Sequence, residues 1–243
     1  MIRRLEVAWP DADLFEARAG RPVRLLAVSD VIDPAFDSPV NREALGPLDL
    51  IVGCGDLEPD YLAFLGDAFG VPLVYVRGNH DRGIGWQKGR GVLPDPLPGG
   101  RLVRVAGVRL IGLEWPGVGD RRNPVPRGDL AWRQVLAVGL VRSAVAWLRR
   151  DGGAPTIVFS HTPPFGIGDV PSDAYHRGFP AYRWLQRRLR PILWLHGHTP
   201  TAAMPDWRVR DGATLAVNVT GAVLVTLRPP DPAPAPAPPA RRT

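Results

Sequence analysis

Short runs of Val, Leu and Ile recur along the chain, and most of them end at a glycine or a polar residue. They are VRLLAVS (23–29), LDLIVGC (48–54), PLVYVR (72–77), VRLIGLE (108–114), PTIVFS (155–160) and PILWL (191–195). Nearly continuous apolar runs of this length are typical of strands that are buried on both faces. Helix-like segments at 58–69, 129–150 and 180–190 lie between some of these runs, so the chain is expected to form a layered α/β fold.

The pattern changes towards the C-terminus. After residue 206, two apolar runs are separated by Asp211-Gly212, which predicts a turn between antiparallel strands. Residues 229–243 read PPDPAPAPAPPARRT and predict a disordered or polyproline-like tail. We therefore expect one domain over 1–228, with 1–22 as an N-terminal extension, followed by the tail.

Composition narrows the function classes. The net charge is +6, almost all of it from arginine, but no segment combines dense arginine with stacking aromatics, so nucleic-acid binding is a minor hypothesis. The single cysteine, Cys54, cannot form a disulfide within the chain, which fits a reducing compartment. It lies in an apolar run, so we expect a buried core thiol and not a nucleophile. The N-terminus lacks the apolar core of a signal peptide, which favours a cytoplasmic protein.

One segment, 131–148, is apolar enough to suggest a membrane-spanning helix. Arg133 and Arg142 interrupt it and it is short for a span, so we interpret it as an amphipathic helix. Core packing is its simplest role, with a partner-facing or membrane-surface role as the alternative.

Candidate chemistry lies directly after the predicted strands. The strand ends carry Ser29-Asp30, Gly55-Asp56, Gly78-Asn79-His80-Asp81, His161 and His196-Gly197-His198. Because sites in open α/β sheets form outside the carboxyl ends of strands, these side chains are expected at one edge. Carboxylate, amide and imidazole are ligands for divalent metals of the Zn, Mn and Fe class. Each glycine before a ligand is expected to permit a sharp exit of the backbone from its strand.

The order and spacing of GD, GNHD, H and GH resemble the calcineurin-like metallophosphoesterase superfamily from about Val23 to Leu227. The resemblance implies a four-layer α-β-β-α sandwich of two mixed sheets and a site for two metal ions. The implied metal ligands are Asp30, Asp56, Asn79, His161 and His198, with Asp56 bridging the two ions. His80, beside Asn79, is implied to contact the phosphate and to protonate the leaving oxygen.

The family pattern is incomplete at two positions. Ile32 stands where the family's D-x-H motif has histidine, and Pro200 stands at the last position of GH-x-H. Both missing histidines would bind the first metal. Three alternatives follow: an oxygen ligand such as Asp33 substitutes and favours Mn or Mg; the protein works with one tight and one weak metal; or it binds one metal and no longer hydrolyses.

The activity implied by the resemblance is hydrolysis of phosphomonoesters or phosphodiesters by a metal-bound hydroxide, with His80 as general acid. One or two divalent ions per chain are expected, with Mn favoured over Fe, Zn or Mg. The expected partner is a phosphorylated small molecule or a nucleotide. A catalytically weak protein that binds a phosphorylated ligand or a protein partner is the first alternative, and a nuclease is the second.

Overall fold

Two mixed β-sheets form the centre of the protein. The computed structural model describes residues 2–83, 86, 93–149 and 155–230, with the side chains of 140–149 excepted. In spatial order, the first sheet contains β1 (Arg3–Ala8), β13 (Gly221–Arg228), β2 (Val23–Ser29), β3 (Leu50–Gly53) and β4 (Leu73–Tyr75). The second contains β11 (Arg208–Asp211), β12 (Thr214–Asn218), β10 (Leu193–His196), β9 (Thr156–Ser160), β6 (Val108–Leu113) and β5 (Leu102–Val105). A small hairpin joins β7 (Gly117–Val118) to β8 (Val125–Pro126).

The described helices are α1 (Ala12–Glu16), α2 (Pro39–Glu43), α3 (Pro59–Phe69), α4 (Gly128–Arg149) and α5 (Pro180–Leu189), with short 3₁₀ turns at Pro34–Asp37 and Thr201–Ala203. Helix α3 packs on the outer face of the first sheet, and α4 and α5 pack on the outer face of the second. Helix α1 instead places Leu14 and Phe15 in the cluster between the sheets. Side chains alternate along each buried strand: in β2, Leu25 faces the other sheet whereas Leu26 packs against α3. In β9, Phe159 lies between the sheets and Val158 packs against α4 and α5. The expected four-layer α-β-β-α sandwich of two mixed sheets is confirmed.

Strand direction determines where the site can form. Strands β2, β3 and β4 are parallel, and so are β6, β9, β10 and β12. The carboxyl ends of β2 and β10 meet across the two sheets, because the His198 N–H donates to the Asp30 carboxylate. The loops after these strands therefore converge at one edge, as the sequence predicts.

The predicted elements agree closely with the observed ones. The three helix-like segments correspond to α3, α4 and α5, and Asp211-Gly212 lies at the turn between β11 and β12. Residues 231–243 of the predicted tail lie outside the described residues. In the two large sheets, the sequence did not predict β5, or β1 within the N-terminal extension, which pairs in parallel with β13. It did not predict the small hairpin of β7 and β8 either.

Helix α4 contains the whole of the apolar segment 131–148. Its residues Ala131, Val135 and Val138 are buried against the second sheet, which agrees with a core-packing role, whereas Trp132 and Leu136 are exposed. Among the described residues, none of the helices has both the length and the hydropathy that crossing a bilayer requires.

The N-terminal extension contributes to the main core through Trp9. This side chain is fully buried in the cluster between the sheets. We expect Trp9→Ala to lower the free energy of unfolding by about 3–5 kcal/mol, because it removes a large buried ring and leaves a cavity. Trp9→Phe should cost clearly less, and the exposed Arg4→Ala should change stability by less than about 0.5 kcal/mol. Urea unfolding measures all three, and a Trp9→Ala protein as stable as the wild type would show that the extension is peripheral.

Candidate metal centre

Three of the predicted ligands have an unusual backbone conformation. Asp30, Asp56 and His198 have φ angles of 63°, 55° and 65°. Left-handed backbone at a residue other than glycine carries a cost and clusters at functional sites. Each of these residues lies within three positions of the carboxyl end of a strand, where the backbone turns sharply into the loop.

Four of the predicted ligands converge at one point. His161 Nε2 lies 2.7 Å from Asn79 Oδ1, 3.2 Å from Asp56 Oδ2 and 3.2 Å from His198 Nδ1. Asp30 joins this group, because one ligand atom from each of Asp30, Asp56 and His161 lies within 4.8 Å of the other two. Two nitrogens and two oxygens that face one another in this way make a donor set suited to a divalent transition metal.

Hydrogen bonds on the far side of each ligand orient its donor atom. His161 Nδ1 lies 3.0 Å from the Cys54 carbonyl, and His198 Nε2 lies 2.8 Å from the Tyr175 carbonyl. A carbonyl oxygen only accepts, so these two nitrogens carry the protons and leave His161 Nε2 and His198 Nδ1 to face the cluster. The Asn79 amide donates to the Tyr175 hydroxyl at 2.9 Å, which turns its oxygen inward. Metal-binding histidines in proteins are oriented in the same way.

The electrostatics of the cluster favour a bound cation. Burial lowers the pKa of His161, but Asp56, Asp30 and Asp81 outweigh burial and raise it to about 9. Burial raises the pKa of Asp56, and His161 outweighs it and lowers the value to about 2. The buried carboxylates thus need a positive charge beside them, and a metal ion would take the place of the His161 proton.

The first metal position keeps fewer ligands. Asp30 accepts hydrogen bonds from the His198 N–H and from the Thr220 hydroxyl. Ile32 is 48% exposed and Asp33 does not face the cluster, because its carboxylate caps the 3₁₀ turn by accepting from the Ala35 N–H at 2.9 Å. Substitution of the missing histidines by Asp33 therefore requires a different conformation of this loop.

His80 lies at the rim of the cluster. Its Nδ1 donates to the Arg121 carbonyl at 2.9 Å, and its Nε2 lies 3.0 Å from the Tyr175 hydroxyl. Asp30, Asp56, Arg121 and His198 line the same small cavity as His80. The basic loop that contains Arg121 is thus part of the site, although the sequence alone favours a solvated loop.

Tyr175 is a site residue that the sequence analysis missed. Its hydroxyl contacts Asn79 and His80, and its carbonyl holds His198. A tyrosine in an irregular loop has no motif to indicate its role, and only its proximity to His176 in the sequence DAYHRGF could have pointed to it.

Other residues considered from the sequence have separate roles. His176 faces the small cavity and pairs with Asp173 at 2.5 Å. Cys54 is fully buried, and burial raises the pKa of its thiol well above the usual value. His196 is buried behind the cluster, with Nδ1 donating to the Gly197 carbonyl at 3.0 Å. Arg77 pairs with Glu114, and the Arg82 guanidinium lies 4.9 Å from the centre of the Trp115 ring.

The glycines before the ligands are required by close packing. A Cβ at Gly197 would lie 2.0 Å from Ser29 Oγ and 2.2 Å from Asp30 Oδ2. At Gly55, where φ is 92°, a Cβ would lie 2.6 Å from the Gly78 N–H nitrogen. The sequence correctly marks these positions, but the reason at Gly197 is the close approach of the two sheets and not a positive φ.

Comparison with known proteins identifies the family. A family model of calcineurin-like phosphoesterases matches residues 23–202. The chain belongs to this family. Solved structures with a similar fold include TT1561 of Thermus thermophilus and a dimetal phosphatase from Danio rerio. The first is 18% identical with a TM-score of 0.51, and the alignment covers 82% of this chain and 90% of that one. The second is 13% identical with a TM-score of 0.53, and the alignment covers 86% and 93%. No curated protein sequence matches the chain.

Asp81 stabilises the loops of this phosphoesterase site. Its Oδ2 accepts from the Asp56 N–H at 2.6 Å and from the Gly78 N–H at 2.8 Å. In the metal-free protein we expect Asp81→Ala to cost about 1–3 kcal/mol of unfolding free energy, because two buried donors lose their acceptor. Asp81→Asn keeps an acceptor oxygen and should be at least as stable as the wild type at pH 8.

The pH dependence provides the control. Burial and then Asp56 raise the pKa of Asp81 from its usual 3.8 to about 7. An acid whose pKa is higher in the folded state destabilises the fold as pH rises from about 4 to about 7. The difference in unfolding free energy by which Asp81→Asn exceeds the wild type should therefore shrink as the pH is lowered from about 7 to about 4. Denaturant unfolding at pH 5 and pH 8 tests this, and an Asn variant as unstable as the Ala variant would contradict it.

Proposed function

We propose that this protein is a metal-dependent hydrolase of phosphomonoesters or phosphodiesters. The observation that carries the proposal is the orientation of His161, His198 and Asn79 by hydrogen bonds on their far sides, which turns their donor atoms towards one point. His161 Nε2 lies at that point, within 3.2 Å of Asn79 Oδ1, Asp56 Oδ2 and His198 Nδ1. A purely structural histidine pair would not need both rings fixed with these nitrogens facing each other beside a carboxylate. Membership of the calcineurin-like phosphoesterase family supports the same conclusion.

The residues present fit one metal position well and the other in part. Asp56, Asn79, His161 and His198 would hold the second metal, and Asp30 with Asp56 would hold the first. Bound divalent ions would supply activation of water at neutral pH and neutralisation of phosphoryl charge. Since Asp33 caps a turn and Ile32 has no ligand atom, we propose one tight and one weak site, with Mn²⁺ as the activating ion.

His80 is the proposed general acid. Its Nδ1–H is fixed by the Arg121 carbonyl, which leaves Nε2, beside the Tyr175 hydroxyl at 3.0 Å, as the nitrogen that would deliver a proton. The proton would pass to the leaving oxygen from the imidazolium form of His80, which returns to neutral imidazole. The Arg121 side chain lines the same cavity and is paired with Glu58 at 2.6 Å, so it lies where it could attract an anionic substrate.

Replacement of His80 tests its role. We expect His80→Ala to lower kcat for a generic aryl phosphate or phosphodiester by about 10²–10⁴-fold in saturating Mn²⁺. Tight metal binding should remain, because His80 lies outside the proposed ligand set. His161→Ala should instead lose the tight metal. Turnover together with metal content, measured on both variants and the wild type, separates the roles, and full activity in His80→Ala would exclude it as the acid.

The weak first site can be tested by restoring its ligand. We expect Ile32→His to strengthen binding of the second equivalent of Mn²⁺ by about tenfold or more, since protein ligands and the groups around them change metal affinity on this scale. Ile32→Gln, which adds a polar chain of similar size, is the matched control. The measurement is Mn²⁺ titration with parallel assays.

The outcomes separate the alternatives left open by the sequence. If Ile32→His reaches full activity at a lower Mn²⁺ concentration than the wild type, the proposed weak site is supported. Two tight ions already present in the wild type would show that another oxygen ligand has replaced the histidines. One ion and no turnover with any metal would favour a binding protein over an enzyme.

A further inference from the structure

A cleft opens beside the metal centre and shares its wall. It has a volume of about 650 Å³ and is bordered by Asn79, Tyr175 and His198, which also belong to the site. Clefts of this size accommodate a small organic molecule of drug or cofactor size. A phosphoester held at the cluster would therefore have this space available for the organic group attached to phosphorus.

The walls of the cleft are largely apolar and aromatic. Trp115, Phe179, Pro124 and Pro126 line it, and Tyr175 separates it from the smaller cavity that contains His80. The Trp115 ring is fixed by the Arg82 guanidinium, and Phe179 packs against Tyr182 with ring centres 5.3 Å apart. These aromatic walls are held in place by packing, and walls of this kind suit a planar group.

One buried polar atom in the wall lacks a partner. Thr162 is 1% exposed and lines the cleft, and its hydroxyl makes no hydrogen bond with any of the residues that the structure describes. A buried hydroxyl without a partner costs free energy. A ligand with a hydrogen-bonding edge would satisfy it, whereas a hydrocarbon chain would leave it unsatisfied.

We propose that the cleft binds the heteroaromatic ring of a nucleotide-like phosphoester, with the ring against Trp115 and Phe179 and its polar edge at Thr162. This assignment rests on the proposed function, because it requires the phosphoryl group to lie at the metal centre. Arg177, at the exposed edge of the cleft, adds a positive charge for a second anionic group of the ligand.

Matched ligands test the assignment by binding, independently of turnover. Adenosine 5′-monophosphate, ribose 5-phosphate and octyl phosphate share a phosphate but differ in the attached group. We would titrate each into the full chain loaded with Mn²⁺, with His80→Ala introduced to preserve the esters. Adenosine monophosphate should bind at least about tenfold more tightly than ribose phosphate, because only adenosine monophosphate has a heteroaromatic ring to bury in the cleft.

Variants of the cleft wall sharpen this test. Ala174→Trp, at an exposed wall residue, should reduce adenosine monophosphate binding to the level of ribose phosphate and leave ribose phosphate unchanged. Ser172→Trp, in the same loop but outside the cleft wall, is the control. Thr162→Val should weaken the binding of adenosine monophosphate by about five- to tenfold and leave the binding of octyl phosphate unchanged. Thermal melts check that each variant folds.

Each outcome has a defined meaning. Equal affinity for the nucleotide and for ribose phosphate overturns the assignment. It is also overturned if octyl phosphate binds as tightly as the nucleotide and Thr162→Val does not change the affinity for the nucleotide. Turnover of a generic phosphoester by the wild type without a preference for the base would leave the proposed function intact and reject the cleft assignment alone. Binding of the nucleotide with the predicted preference, but no turnover by the wild type, would reject hydrolysis and keep the cleft assignment.

Discussion

The structure depends on one buried imidazole that is supplied by one sheet and held by the other. His161 follows β9 of the second sheet and is fully buried, yet its Nδ1 donates to the Cys54 carbonyl after β3 and its Nε2 faces Asn79 and Asp56 of the first sheet. A buried ionisable ring needs partners for both nitrogens, because leaving either unpaired is costly. This requirement fixes how the two sheet edges meet. Where the edges meet, the backbone packs closely at Gly55 and Gly197. At the same edges the backbone is left-handed at Asp30, Asp56 and His198.

Much of this arrangement could be predicted from the sequence because each ligand follows an apolar run that must be a buried strand. Since parallel strands deliver their carboxyl ends to one edge, listing the residues after each run placed Asp56, Asn79 and His161 among the candidates. The resemblance to the family then implied their roles as ligands. Strand β1 was missed because RRLEVA is mostly charged or exposed and only Leu5 of it is buried, as suits an edge strand. Strand β5 was missed because Ala106-Gly107, a tight turn with both φ angles positive, is a weaker sequence signal than Asp211-Gly212.

The parts of the site that sequence could not supply come from irregular loops. Tyr175, Arg121 and Thr162 are placed by tertiary packing, and no periodicity or spacing marks them. The role of Asp33 was also open until its carboxylate was seen to cap the turn that begins at Pro34. Together these loops make the site asymmetric. Four side chains would hold the second metal and two carboxylates the first, and an aromatic cleft lies beside Tyr175.

The central claim is that Asp56, Asn79, His161 and His198 bind a divalent cation. Crystals grown with Mn²⁺ and measured at the manganese absorption edge would test it most directly. The account predicts a strong anomalous peak within about 2.0–2.3 Å of His161 Nε2, His198 Nδ1 and the oxygens of Asp56 and Asn79, distances typical of nitrogen and oxygen ligands of transition metals. A second, weaker peak is expected between Asp30 and Asp56. The absence of any peak at His161 in crystals saturated with Mn²⁺ would contradict the account.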